Sequence, residues 1–143
     1  MQQRRTVCSL LLIMFFAIIS LPTGEAMAGK KIGILLFSEE ARYNEAKSGV
    51  IDYLDKHGIR EPDTQFTIVN AKGSRAKAVE AAQSFKAAGM DLIITLGTSA
   101  TVPTAKMIED IPIVFGMVYD PVDSGVAKSW RSSGNNTTGV SPQ

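Results

Sequence analysis

Short apolar blocks alternate with helical stripes along most of this chain. Lys31-Ile32-Gly33-Ile34-Leu35-Leu36-Phe37 is an apolar run that ends at Ser38-Glu39-Glu40, which predicts a strand buried on both faces. From Ala41 to Lys56 the apolar positions Ala46, Val50, Tyr53 and Leu54 fall at helical spacing, and His57-Gly58 supplies a cation and a left-handed stop. Thr64 to Val69 alternates with β-branched residues and predicts a second strand. Ser74 then opens a second helix in which Ala78, Ala81, Ala82 and Phe85 recur until Gly89 ends it. Asp91 to Leu96 is a third strand, Gly97-Thr98-Ser99 turns into a helix around Val102 to Ile108, and Ile111 to Val118 is a fourth strand. Thr137 to Val140 is β-rich enough for a fifth.

Strands alternating with helices at this pace imply parallel βαβ units with right-handed crossovers, hence an α/β doubly wound sheet with helices on both faces. The expected flavodoxin-like strand order is 2-1-3-4-5. Ligands of such sheets sit beyond the carboxyl ends of the strands, where the winding reverses between the first and third. Three loops therefore become candidates: Ser38-Glu39-Glu40, Gly97-Thr98-Ser99-Ala100-Thr101 and Tyr119-Asp120-Pro121.

Ahead of this pattern lies a different one. Arg4 and Arg5 precede an apolar run from Val7 to Ile19, Pro22 and Gly24 break it, and Ala26-Met27-Ala28 has the small-x-small form of a signal-peptidase site. A run of about thirteen residues matches a signal-peptide core and falls short of the ~20 that a spanning helix needs. The expected division is a signal peptide over 1–28 and a mature domain from Gly29, exported to the periplasm or beyond, with no membrane span after cleavage. A retained N-terminal anchor is the alternative.

Removing Arg4, Arg5 and Glu25 takes fifteen basic and fourteen acidic residues to thirteen of each. A formally neutral domain has no basic stripe for nucleic acid and no polybasic segment for anionic lipid. The single cysteine, Cys8, leaves with the signal, so the mature domain has neither disulfide nor thiol chemistry. Its core has to hold by packing alone.

The loop after the third strand carries the most suggestive chemistry. Gly97 lets backbone approach a ligand closely, while Thr98, Ser99 and Thr101 set hydroxyls beside free N–H groups at a helix start, an arrangement suited to a carboxylate or phosphate. Ordinary capping uses the same residues, and position in the crevice is what favours binding. Asp120 either accepts a ligand's ammonium or caps a helix that Pro121 begins. Tyr119 can stack on an apolar body or donate its hydroxyl. Ser38 either bonds a ligand or caps the helix after it, and Glu39 and Glu40 suit a solvated first turn.

Enzyme chemistry finds little support. His57, the only histidine, belongs to a helix end, Ser99 has no visible base, and Gly97-Thr98-Ser99-Ala100 lacks the second glycine of a nucleophile elbow. No Cys or His cluster has metal-ligand spacing, and neither a phosphate-loop lysine nor G-x-G-x-x-G is present. No cofactor is expected. Trp130 is expected to cover a core edge, and Asn135-Asn136-Thr137-Thr138 holds glycosylation sequons that turn chemistry explains equally well.

The succession of Lys31-Ile32-Gly33-Ile34, Asp91-Leu92-Ile93-Ile94 before a small-hydroxyl loop, Ile111-Pro112-Ile113-Val114-Phe115, Asp120-Pro121-Val122 and Asn136-Thr137-Thr138-Gly139-Val140-Ser141 resembles the ABC-transporter substrate-binding proteins of the tryptophan/tyrosine-binding type. The resemblance implies one lobe of a type I periplasmic-binding fold, capture of a small amino-acid-like ligand, aromatic members included, and delivery to an ABC permease rather than catalysis. It places a carboxylate-binding hydroxyl loop at Thr98 and Ser99 and the family's Asp-Pro segment at Asp120 and Pro121. Two-lobed members run to roughly twice this length, so the expectation for 29–143 is an N-terminal lobe, truncated before a second. A ligand-sensing module docked on a membrane receptor is the main alternative, and a flavodoxin-like enzyme the weaker one.

Overall fold

In the computed structural model, which describes residues 29–142, the first apolar run becomes the spine of a single parallel sheet. β1 (Lys30–Leu36) pairs with β2 (Thr64–Asn70) on one side and β3 (Leu92–Leu96) on the other, and β4 (Ile113–Gly116) and β5 (Thr137–Gly139) extend the sheet in the order 2-1-3-4-5. The expected α/β doubly wound architecture is the one observed. The proposed signal segment lies outside the described residues.

The unbroken apolar character of β1 and β3 follows from burial on both faces. Ile32, Ile34 and Leu36 join Ile94, Leu96 and Tyr43 on the face covered by α1 (Ala41–Lys56). Leu35 and Ile93 point the other way, against Ala78, Ala81, Ala82 and Phe85 of α2 (Arg75–Ala88) and Ala100 of α3 (Thr98–Met107). Gly33 belongs to that second face. A Cβ there would lie 2.9 Å from the Phe85 ring, so the glycine lets a bulky aromatic pack flat on the strand.

Helix ends are set by local chemistry. Ser74 caps α2 by accepting the Lys77 N–H (3.4 Å), and Gly89 ends it in left-handed backbone. The His57 ring lies within hydrogen-bonding distance of the Tyr53 carbonyl (2.7 Å) and stacks on the Tyr53 ring. That contact corrects the sequence pattern: Tyr53 is 63% exposed, and Tyr43 instead is the buried aromatic of α1.

Two boundaries differ from expectation. α3 starts at Thr98, four residues before Val102, and carries Pro103 within it. The ring of Pro103 has no N–H to offer the Ser99 carbonyl, yet the Thr101 and Thr104 hydroxyls donate to the carbonyls four residues back, at Gly97 (2.9 Å) and Ala100 (2.8 Å). β4 is confined to Ile113–Gly116, although Val118 beyond it is fully buried with Phe115 and Val126 in a small satellite cluster.

Beyond β4 the chain runs as turns rather than helix. Trp130, expected over a core edge, is 65% exposed on the Ser129–Ser133 turn. Asn135 and Asn136 are structural. Asn136 donates to the carbonyls of Ile108 and Ile111, and Asn135 accepts the N–H and hydroxyl of Thr137 while donating to Val126. These bonds fix the approach to β5.

Candidate functional site

Where β1, β3 and β4 end, their loops converge on a cleft of about 300 Å³, lined by Phe37, Glu40, Arg42, Tyr43, Thr98, Ser99, Met117, Tyr119 and Pro142. It lies at the carboxyl edge, where α1 leaves β1 and α3 leaves β3. Here the winding of the sheet reverses.

The floor is set by Gly97. Its φ of +102° is a conformation that a side chain disfavours, and a Cβ there would meet the Tyr43 ring at 2.9 Å. The glycine thus performs two tasks. It turns the chain from β3 into α3 within one residue, and it lets Tyr43 close under the helix start. Below this, Thr95 and Thr101 join hydroxyls at 2.8 Å inside the core, which ties the strand end to the first turn of α3.

At the helix start, the Ala100 and Thr101 N–H groups return to the Gly97 carbonyl. The Thr98 and Ser99 N–H groups have no acceptor among the described residues, as expected of a first turn. The Thr98 hydroxyl accepts the Tyr119 N–H (3.2 Å), so its own hydrogen remains available for donation. The Ser99 hydroxyl has no partner among the described residues. Two hydroxyl donors and two amide donors therefore gather at the positive end of a helix dipole, a set that suits a carboxylate.

The rest of the lining is aromatic and charged. Tyr119 is 80% exposed on the loop after β4, where Met117 takes left-handed backbone (φ +60°). The Ser141 hydroxyl fastens that loop through the Val118 and Tyr119 carbonyls (2.6 and 2.7 Å). Arg42 pairs with Glu40 at 2.9 Å, lies 4.9 Å from the centre of the Tyr43 ring and donates to the Tyr43 hydroxyl at 3.4 Å. Among the described residues no group of three or more His, Cys, Asp and Glu converges to hold a metal.

Of the residues singled out from sequence, the structure brings Thr98, Ser99 and Tyr119 together in the cleft, with Gly97 beneath them. Ser38 and Asp120 are not among the lining residues. The Ser38 hydroxyl donates to Glu40 (3.0 Å) instead of capping α1. Asp120 uses Oδ1 to accept the Val122 and Asp123 N–H groups, both at 2.9 Å, so it caps a turn where the capping alternative expected a helix. Sequence reasoning missed Arg42, Tyr43, Phe37, Met117 and Pro142. For Tyr43 the signal was present: it precedes Ala46 by three and continues the series to Val50 and Leu54.

A family model described as ABC transporter substrate binding protein matches residues 31–143. The tyrosine-binding protein of Clostridioides difficile (strain R20291) is 31% identical over 113 residues, which are 78% of this chain and 33% of that protein. Among solved structures, a Streptococcus pneumonia ABC domain in complex with L-Trp superposes with a TM-score of 0.76 at 26% identity, covering 80% of this chain and 39% of that one. The ligand-free, open form of a substrate binding protein with adhesive properties from Clostridium difficile gives the same TM-score at 28% identity over 78% of this chain and 38% of its own. The chain spans about a third of the length of the curated relative it matches.

Proposed function

The chain belongs to the ABC transporter substrate-binding protein family, and on that premise we propose that it captures a small amino-acid-like solute, aromatic in side chain, for uptake through an ABC permease. The observation that carries this reading is the Ser99 hydroxyl at the open start of α3, without a partner among the described residues, in one cleft with the exposed ring of Tyr119. A carboxylate fits the first group and a flat apolar body the second. The tyrosine-binding relative and the neighbour holding L-Trp support the same ligand class.

The mature domain from Gly29 acts, on this proposal, as the N-terminal lobe of a two-lobed receptor, with the ligand held between lobes. A cleft open on one side leaves a ligand partly in water, and a facing lobe is what would enclose it. Residues 1–28 direct export and are removed. The reading assigns no catalytic step, in keeping with relatives that are substrate-binding proteins.

Isothermal titration calorimetry of the natural full-length protein tests the ligand. Saturable binding of L-tryptophan or L-tyrosine, with glucose giving no heat, is expected. Binding of the sugar alone would overturn the amino-acid reading. Mass spectrometry of the exported protein tests the processing, with a mature N-terminus at Gly29 expected and a chain retaining Met1 the contrary result.

A further inference from the structure

Glu40 and Arg42 are the charged residues among those lining the cleft, and they pair with each other at 2.9 Å at the start of α1. Both side chains are more than half exposed, at 58% and 57%, and an ion pair so placed contributes little net stability. The Glu40 side chain is not spent on the helix, since as its N-cap residue it makes no side-chain capping bond to α1. Each is nevertheless held in place by a third group. The Ser38 hydroxyl donates to Glu40, and the Tyr43 ring and hydroxyl steady the Arg42 guanidinium.

We propose that the Glu40–Arg42 pair reads the zwitterion of an α-amino acid, opening so that Glu40 accepts the ligand ammonium while Arg42 joins Ser99 on the ligand carboxylate. This inference rests on the reading of the cleft as the amino-acid site and adds the residues that select the class. An α-amino acid carries both charges on one carbon, so a single ligand satisfies both partners that it separates. A lone anion leaves Glu40 unpaired beside a second negative charge, and a lone cation leaves Arg42 unpaired beside a second positive one. The self-neutralised pair therefore discriminates against both. Because the exchange replaces one exposed ion pair by two charge-assisted contacts, the balance favours binding. Asp120 is not among the residues that line the cleft, and the ammonium role falls to Glu40.

Three ligands with one indole body separate the charges: L-tryptophan, tryptamine without the carboxylate, and indole-3-propionate without the ammonium. Their affinities are measured by calorimetry on the natural full-length protein, on Glu40→Gln and on Arg42→Gln, with circular dichroism to confirm folding. Wild-type protein is expected to prefer tryptophan by about tenfold or more over each analogue. Arg42→Gln should weaken tryptophan and indole-3-propionate by about tenfold while sparing tryptamine, and Glu40→Gln should weaken tryptophan and tryptamine while sparing indole-3-propionate. Equal losses for all three ligands, or no loss, would overturn the inference and leave the amino-acid reading standing. Failure of wild-type protein to bind either tryptophan or tyrosine would overturn both together.

Discussion

The hollow beside β5 and the cleft at the start of α3 differ in how their polar groups are used. The one beside β5 encloses about 790 Å³, lined by Phe115, Trp130, Arg131 and the Ser129–Ser133 turn among others. The serines of its turn are spent on one another. Ser129 N–H donates to the Ser132 carbonyl (3.1 Å), the Ser129 hydroxyl donates to the same carbonyl (3.0 Å), and Ser132 N–H donates back to that hydroxyl (3.0 Å). The cleft at the start of α3 has less than half the volume but keeps hydroxyl and amide donors unspent, an exposed aromatic ring and an ion pair. Volume measures how the surface folds back on itself. Unsatisfied polar groups at a rigid helix start mark where a ligand gains something from arriving.

If the small cleft is the working site, the glycine beneath it is its most sensitive position. Gly97→Ala forces a side chain into φ +102° and against the Tyr43 ring at 2.9 Å. Left-handed backbone and overpacking together should cost about 2–4 kcal/mol of stability, read as a lower denaturation midpoint, with ligand affinity falling as the helix start is displaced. A midpoint unchanged from wild type would show that neither constraint holds the cleft open.

Next in size is Ser99→Ala. This hydroxyl has no partner among the described residues, so its loss should leave stability within ~0.5 kcal/mol. A carboxylate at the α3 start would lose a charge-assisted hydrogen bond worth roughly 1.5–3 kcal/mol, or about one to two decades of affinity. Calorimetry on the natural full-length variant measures the loss. Unchanged affinity would move the carboxylate away from Ser99 and make Thr98 the next residue to test.

Much of this contrast was legible before any coordinates. Strand order followed from the β–α alternation, and Thr98, Ser99 and Tyr119 followed from asking which loops leave the carboxyl edge. The start of α3 was misplaced because apolar counting begins at Val102, whereas the helix begins where Gly97 adopts a conformation no pattern records. Arg42 was missed for a tertiary reason, because its place in the cleft depends on how α1 docks on the sheet. Tyr43 was legible in its spacing to Ala46, Val50 and Leu54, but Tyr53 looked equally apolar. Asp120 could not be resolved either way from sequence, since an aspartate before a proline offers the same oxygens to a turn and to a ligand.

Tyr119→Ala separates the cleft's two walls. The ring is 80% exposed, so removing it should scarcely change the denaturation midpoint. Its stacking contribution to an aromatic ligand is expected at about 0.5–1.5 kcal/mol, a loss of several-fold in affinity for tryptophan. The loss for an aliphatic amino acid should be smaller. Equal losses for both ligands would show that the Tyr119 ring shapes the cleft rather than stacking on the ligand.

The smallest effect expected is also the sharpest test of the comparison between the hollows. Trp130 is the largest exposed side chain beside β5, at 65%, and an aromatic solute seeking a stacking partner there would meet it first. The turn that carries it satisfies its own hydrogen bonds and offers no helix start to a carboxylate. Trp130→Ala should therefore leave affinity for tryptophan unchanged and stability within ~0.5 kcal/mol, as for surface substitutions away from caps and cores. Calorimetry beside a denaturant titration reads both. A loss of affinity comparable to that of Ser99→Ala would relocate the site to the larger hollow, because an exposed tryptophan 65% open to solvent has too few core contacts to act on the cleft through the fold.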